Sequence, residues 1–319
     1  MKLATYRDGS RDGQLVVVSR DGTLAHYATG IADTLQQALD DWNFVAPQLQ
    51  DLALTLEHGK ARHAFAFDPG QCAAPLPRAW GWLAPAEDGG VLQPWRSDAL
   101  WGPTRGLPAV AGVADIGATV GVVCGDVASD VEAAAALEGV RLLVLACHWW
   151  LGGEGKEAPA QPWGIAVAPC AVTPDELGAA WAGGRLDASV TTSINGRKLG
   201  IADGGAQARD FGALIAAAAR GRGIAAGVVV AGGTLPTPEI PGDPSGSPVW
   251  PRGYATIAAR RAAERRTLGA ARTPWLVPGD RVQVEARLPD GSTPFGVIDV
   301  TWPPAPAHSE GVAVGWARS

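Results

Sequence analysis

The run Asp115-Ile-Gly-Ala-Thr-Val-Gly-Val-Val-Cys-Gly-Asp126 constrains this chain more than any other. Val120, Val122 and Val123, with small residues between them, read as a buried strand, and Gly125-Asp126 as the turn that ends it. A second run, Val140-Arg-Leu-Leu-Val-Leu-Ala-Cys147, follows a brief helical stretch from Val131 to Leu137. It is too continuously apolar for a strand with one wet face, so both of its faces need cover. The core is therefore organised around buried strands, and 42 glycines and 25 prolines suit short strands joined by turns.

With 319 residues the chain can bury a large core, and one large domain plus a small one is the expectation. Its 18% charged and 47% hydrophobic residues are ordinary for a globular protein. The net charge of −6 and the scatter of basic residues, apart from Arg260-Arg261 and Arg265-Arg266, argue against nucleic acid as a partner. The start, Met1-Lys-Leu-Ala-Thr-Tyr-Arg-Asp, turns polar before any apolar run of signal-peptide length. No stretch reaches the roughly 18 apolar residues of a membrane span, so a cytoplasmic protein is expected. Cys72, Cys124, Cys147 and Cys170 lie far apart, which signals buried free thiols rather than a zinc site or disulfides. Aromatic usage is skewed, with 13 Trp against 5 Phe and 3 Tyr. Trp combines a large apolar area with an N–H that needs a partner, so pocket walls and interfaces suit it.

From Met1 to about Asp68 the pattern is a hairpin followed by two helices. Asp12-Gly13 and Asp21-Gly22 are turn signals around strands over 14–19 and 23–29. Ile31, Leu35, Leu39 and Trp42 then recur at helical spacing, as do Leu49, Leu52 and Leu56. Cys72 to Ala79 is an extended, proline-restricted linker. Thr173 is expected to cap a helix, with Pro174 at its first position and Glu176 closing the cap. Asn195-Gly196 joins two strands, and Phe211, Leu214, Ile215 and Ala218 form one face of a helix. Pro236 to Pro251 reads as a loop or lid.

Several of these runs resemble the fumarylacetoacetate hydrolase family. Lys-Leu-Ala-Thr, Asp-Gly-Ser-Arg-Asp-Gly-Gln-Leu-Val-Val-Val-Ser-Arg-Asp and Gln-Gln-Ala-Leu-Asp-Asp-Trp-Asn-Phe are similar to the N-terminal domain of bacterial members. The Asp115 run resembles the family's Asp-Phe-Glu-Ala-Glu-Val-Ala-Val-Val-Thr-Gly-Asp, whose two glutamates bind a divalent cation. Those positions are Gly117 and Thr119 here. The 140–147 run resembles a strand ending Leu-Ala-Asn-Asp-Val-Ser-Leu-Arg, which places His148 at the aspartate that completes the metal site. The family's general-base histidine sits in a segment matched by Leu83 to Leu107, which is shorter and has none. Its partner glutamate falls on Ala259, in Gly253-Tyr-Ala-Thr-Ile-Ala-Ala-Arg260. Gly227-Val-Val-Val-Ala-Gly-Gly-Thr234 resembles the family's Gly-Ser-Ile-Val-Gly-Ser-Gly-Thr, so Thr234 is the one ligand-contact position that survives.

The resemblance implies an α+β fold, a mixed β-sandwich roll with a small N-terminal α/β domain, assembled as a homodimer. The expected boundaries are 1–70 for the N-terminal domain, 71–108 for a linker and shortened loop, 109–302 for the β-roll and 303–319 for a tail. A hard divalent ion needs several oxygen ligands, mostly carboxylates. Gly117, Thr119 and His148 offer one hydroxyl and one imidazole, so no cofactor or metal is expected. One reading is a protein that has lost metal-dependent C–C hydrolysis of diketo acids and binds an aromatic or keto-acid ligand or a partner subunit. The other is a metal-independent enzyme on an aromatic-pathway intermediate, using His148 as acid/base with Thr234. Thr119, Trp149 and Trp150 are candidate substrate contacts; Trp149, Trp150 and Trp163 are expected either to line that pocket together or to pack in the core, since Trp serves both purposes. A lone histidine at a strand end is more often a hydrogen-bonded structural residue than a catalyst, and the acid/base role is the alternative.

Overall fold

The computed structural model of the chain describes residues 1–86, 91–153, 158–237 and 253–304. The N-terminal part contains β1 (Lys2–Tyr6), β2 (Gln14–Val18), β3 (Leu24–Tyr27), α1 (Leu35–Asp40), α2 (Trp42–Glu57) and β4 (Phe65–Ala66). There follow β5 (Gly81–Pro85), β6 (Leu92–Trp95), β7 (Val113–Cys124), α3 (Ala133–Leu137), β8 (Val140–Gly152), β9 (Gln161–Val167) and β10 (Ala171–Val172). The last part holds β11 (Trp181–Ala182), β12 (Arg185–Leu186), β13 (Ser189–Ile194), β14 (Arg197–Asp203), α4 (Phe211–Ala218), β15 (Val228–Ala231), α5 (Ile257–Leu268), β16 (Arg281–Arg287) and β17 (Val297–Thr301). This is the α+β, sheet-dominated architecture expected.

Among the described residues an 11-stranded sheet runs β4-β3-β2-β1-β10-β8-β7-β15-β5-β6, with β9 also on β8, and a 4-stranded sheet runs β14-β13-β16-β17. The large sheet separates two cores. On one side Leu15 and Val17 of β2 and Leu142, Val144 and Ala146 of β8 pack under Leu35, Leu39 and Leu49 of the N-terminal helices. On the other, Val16, Val18, Leu143, Leu145 and Trp149 meet Phe211 of α4 and Val282 and Val284 of β16. Alternate residues of one strand thus enter different cores, which is why the 140–147 run carries no polar face.

The N-terminal unit is continuous with the rest. β1 pairs with β10 through Lys2↔Val172, and β10 pairs with β8, so the strands assigned to 1–70 extend the large sheet rather than forming a separate body. The 71–108 segment, expected as a linker and shortened loop, contains the β5/β6 hairpin, which completes one sheet edge through β15. A turn signal was present in the sequence there, since Asp88-Gly89 stands between two apolar runs. Ile31 precedes the first helix, which starts at Thr34 with a capping box to Gln37. Trp42 opens the second helix after a break at Asp41, where φ is −123° and ψ is 36°. Asn195 and Gly196 turn the β13/β14 hairpin at φ of 50° and 73°, as that dipeptide demands.

Thr173 does not cap in the expected way. Its segment is a 3-10 helix, Pro174–Ala180, without a side-chain cap bond. The hydroxyl instead accepts from the Met1 amine at 2.6 Å, and Glu176 pairs with that amine at 3.4 Å. Of the expected loop or lid at Pro236 to Pro251, all but the first two residues lie outside the described residues, as does the tail from 305.

Candidate functional site

β7 and β8 pair antiparallel with Gly117 opposite His148 and Thr119 opposite Ala146. Cross-strand partners share a face. The three positions matched to metal ligands are therefore neighbours, facing the same core as Leu142 and Val144. His148 is not at a strand end, because β8 continues through it to Gly152. Thr234 follows β15 and its Oγ1 lies 2.8 Å from the point where a Gly117 Cβ would stand. Gly117, Thr119, His148 and Thr234 thus converge.

That convergence is filled with indole. Trp82 Nε1 donates to His148 Nε2 at 3.0 Å. Trp95 stacks on the imidazole with ring centroids 4.2 Å apart and planes 16° apart, and Trp150 meets both rings edge-on. The Trp150 ring tip is 3.2 Å from a Gly117 Cβ position, and the Trp82 ring tip is 3.7 Å from a Gly121 Cβ position. Glycine at 117 makes room for Thr234 and the Trp150 indole, while at 121 the tight neighbour of a Cβ would be Val229, at 3.0 Å. His148 is 1% exposed, and desolvation lowers its pKa to about 3, so the ring is neutral. Since Nε2 accepts, the ring proton is on Nδ1.

The other candidates divide by strand parity. Trp150 stands in this cluster. Trp149 and Trp163 do not; they pack with Trp101 and Trp302 in the opposite core, with centroids 5.0 to 6.4 Å apart. Trp149 is fully buried there, so an alternating strand separates the adjacent tryptophans. Cys147 lies on that side too, and burial raises its thiol pKa. Thr119 is fully buried and its hydroxyl donates to Val120 O at 3.2 Å. Asp126 is exposed, just past the end of β7, and its Oδ1 accepts from Ala226 N at 3.0 Å.

Asp115, which opens the same strand, has a role the sequence reading missed. Its carboxylate accepts from Ile116 N at 2.8 Å, Ile257 N at 2.7 Å and Ala258 N at 2.9 Å, joining the first turn of α5 to β7. An acid at a helix N-terminus is favoured by the free amides and the helix dipole. Ala259, at the family's glutamate position, is in this first turn, and its N–H goes to Thr256 Oγ1 at 3.0 Å. Only the order Asp115 then Thr256-Ile257 hinted at the pairing, across 142 residues.

The sequence profile "Fumarylacetoacetase N-terminal domain 2" matches residues 1–78, and "Fumarylacetoacetate (FAA) hydrolase C-terminal" matches residues 95–300. The chain belongs to the fumarylacetoacetate hydrolase family. Solved structures similar to this family member include a putative HpcE protein from Mycobacterium smegmatis, with 18% identity, 95% of this chain and 100% of that one covered, and a TM-score of 0.65. Maleylpyruvate hydrolase from Sphingobium sp. SYK-6, in complex with manganese (II) ion and pyruvate, is 16% identical over 96% and 100% of the two chains, with a TM-score of 0.65. Fumarylacetoacetate hydrolase from psychrophilic Exiguobacterium antarcticum is 16% identical over 96% and 100%, with a TM-score of 0.64. At these identities the likeness is one of fold. No curated protein matches the chain.

The residues present do not fit the divalent cation of this family. A carboxylate at 117 has no volume beside Thr234 and Trp150, Thr119 offers a single hydroxyl, and the Nε2 lone pair of His148 is taken by Trp82. Among the described residues no group of three His, Cys, Asp or Glu could hold a metal ion. Among them, too, no helix is long and apolar enough to cross a membrane.

Proposed function

We propose that this family member does not carry out metal-dependent C–C hydrolysis of diketo acids and acts as a non-catalytic paralogue, assembled as a homodimer. The observation that carries the reading is the neutral, 1% exposed His148 enclosed by Trp82, Trp95 and Trp150. Hydrolysis of a diketo acid needs water, a base to activate it and an electrophile to hold the enolate. At the positions matched to that chemistry, indoles pack against His148 and beside Gly117. The hydrogen bond that fixes His148 also removes the lone pair a general base would use. A metal-independent enzyme built on His148 and Thr234 would need that ring to reach substrate, and its burial argues against this.

The test is absorbance loss of an acylpyruvate incubated with the purified chain and Mg²⁺ or Mn²⁺. The expected rate is that of buffer with the same metal. Turnover of roughly 1 per second or faster, in the range of ordinary enzymes, would overturn the reading.

A further inference from the structure

His26, half-buried in β3, has a carbonyl oxygen at each ring nitrogen: Tyr27 O lies 2.6 Å from Nδ1, and Arg62 O lies 2.7 Å from Nε2. Carbonyl oxygens only accept, and a neutral imidazole has one N–H and one lone pair. Both contacts are hydrogen bonds only when both nitrogens carry a proton, so this geometry belongs to the imidazolium. In the neutral ring one lone pair would face a carbonyl oxygen, and that contact turns repulsive. Among the described residues no salt bridge involves His26, so backbone oxygens alone call for its charge.

The two bonds join distant parts of the chain. Tyr27 is the next residue of β3, whereas Arg62 belongs to the connection from α2 to β4. That connection leaves α2 through the N–H groups of His58 and Lys60, which donate to Leu54 O and Thr55 O. Beyond them, Arg62 and His63 have no hydrogen bond among the described residues other than the one to His26. His63 holds a φ of 69°, a left-handed conformation that strains a residue with a Cβ. A strained turn with a single tether opens when the tether is lost. Directly after it comes β4, the outer strand of the large sheet, with Phe65 packed on Tyr27 and Tyr6 at centroid distances of 5.0 and 5.6 Å.

We propose that His26 is a pH-sensitive latch: as an imidazolium it closes the α2–β4 connection on β3, and as a neutral ring it lets the connection and β4 loosen. Closure is present on the acid side of imidazole ionisation and is lost as pH rises through it. The charged and titratable groups on the elements around it are Asp51 and Glu57 of α2, Tyr27 of β3, and His58, Lys60, Arg62 and His63 of the connection; β2 and β4 carry none. Glu57 is engaged by Arg20 N, and Lys60 and Arg62 add fixed positive charge. His58 and His63 are therefore the groups whose titration has to be separated from that of His26. The latch is distinct from the His148 cluster, since β2, β1 and β10 stand between β3 and β8. It holds whether or not the chain is catalytic.

The experiment is hydrogen–deuterium exchange of the full chain, read by mass spectrometry on peptides covering 58–67 at about pH 5.5 and about pH 8, with labelling times scaled for the intrinsic amide rate. Burial of the neutral His148 ring acts on global stability in the opposite sense, so the latch is read locally. After scaling, wild-type exchange in 58–67 should be roughly five- to tenfold faster at the higher pH, with peptides from the middle of α2 unchanged. His26→Phe should exchange fast at both pH values, and His58→Gln and His63→Gln should keep the pH dependence. Equal protection of the wild type at both pH values, a pH dependence that survives in His26→Phe, or one that disappears in His58→Gln or His63→Gln would each overturn the latch. If His26→Phe does not fold, nitrogen NMR of the isotope-labelled wild type takes its place: two His26 ring N–H protons in slowed exchange at about pH 5.5 support the latch, and a ring showing one or none overturns it.

Discussion

Asp115 and His148 are both buried, at 4% and 1% exposure, and lie two residues apart along one strand pair, yet the chain satisfies them in opposite ways. Asp115 is surrounded by backbone amides and ties β7 to the first turn of α5. His148 has no ionic partner among the described residues; burial alone holds its pKa down, and the ring is held by one indole N–H and by ring faces. The Asp115 end is a polar network, and the His148 end is aromatic packing. Buried polar groups persist where fixed donors serve them and otherwise persist in neutral form.

The largest expected effect breaks the packed end. Trp82→Ala should lose about 3–5 kcal/mol in urea unfolding, the usual cost of emptying a buried aromatic site. Trp82→Phe keeps most of the volume and should lose about 1–2 kcal/mol with the hydrogen bond. If Trp82→Ala is neutral, the cluster is not tightly packed and the contrast with Asp115 fails.

At the polar end, Asp115→Ala should cost about 3 kcal/mol, since it orphans amide donors that the carboxylate serves. Asp115→Asn, which retains an acceptor oxygen, should recover part of the loss. Equal losses in both variants would mean that charge, not acceptor geometry, holds α5 to β7.

The pH dependence of stability sharpens the comparison further. The folded His148 pKa is depressed to about 3 from an ordinary 6.5, so between those values the unfolded chain binds a proton that the folded chain refuses. Stability attributable to this residue is therefore fully present above about pH 6.5, falls by up to about 1.4 kcal/mol per pH unit on acidification, and levels off below about pH 3. The difference in urea stability between wild type and His148→Phe, measured from pH 7 to 4, should change with that slope. A flat difference would place the imidazole in contact with water.

A smaller effect is expected at Glu264, the buried acid of α5. Burial alone would raise its pKa, but donation from the Thr273 hydroxyl and N–H and from Arg272 N, with the Arg260 charge, brings it down to about 2. That stability is present above the ordinary carboxyl pKa of 4.5 and lost as pH falls through about 2. Glu264→Gln should cost about 1–2 kcal/mol at pH 7 and less at pH 3, read from thermal unfolding.

The strands of this fold were legible because burial writes itself into sequence. The 115–126 and 140–147 runs became β7 and part of β8, and Asn195-Gly196 announced its hairpin through the backbone it requires. The convergence of Gly117, Thr119, His148 and Thr234 was also legible, through family motifs that fix register. What filled the convergence was not. Trp82 and Trp95 reach His148 through the β5/β6 hairpin, whose pairing with β15 depends on residues more than a hundred positions away. Assigning Trp149 and Trp163 to the same pocket as Trp150 failed because parity separates adjacent strand residues and a bulge between Trp149 and Trp150 shifts the β9 partner. Thr173 looked like a cap by residue type, but its hydroxyl was claimed by Met1, 172 residues away.

The central proposal is that the positions matched to the family's metal ligands, Gly117, Thr119 and His148, form a packed aromatic site that holds no divalent ion. Calorimetric titration of the purified chain with Mn²⁺ tests it most directly. The account predicts heats no larger than dilution up to millimolar metal, because water offers the ion more oxygen ligands than this face of β7 and β8 does. Stoichiometric uptake at micromolar Mn²⁺, abolished by Thr119→Ala or His148→Ala, would contradict it.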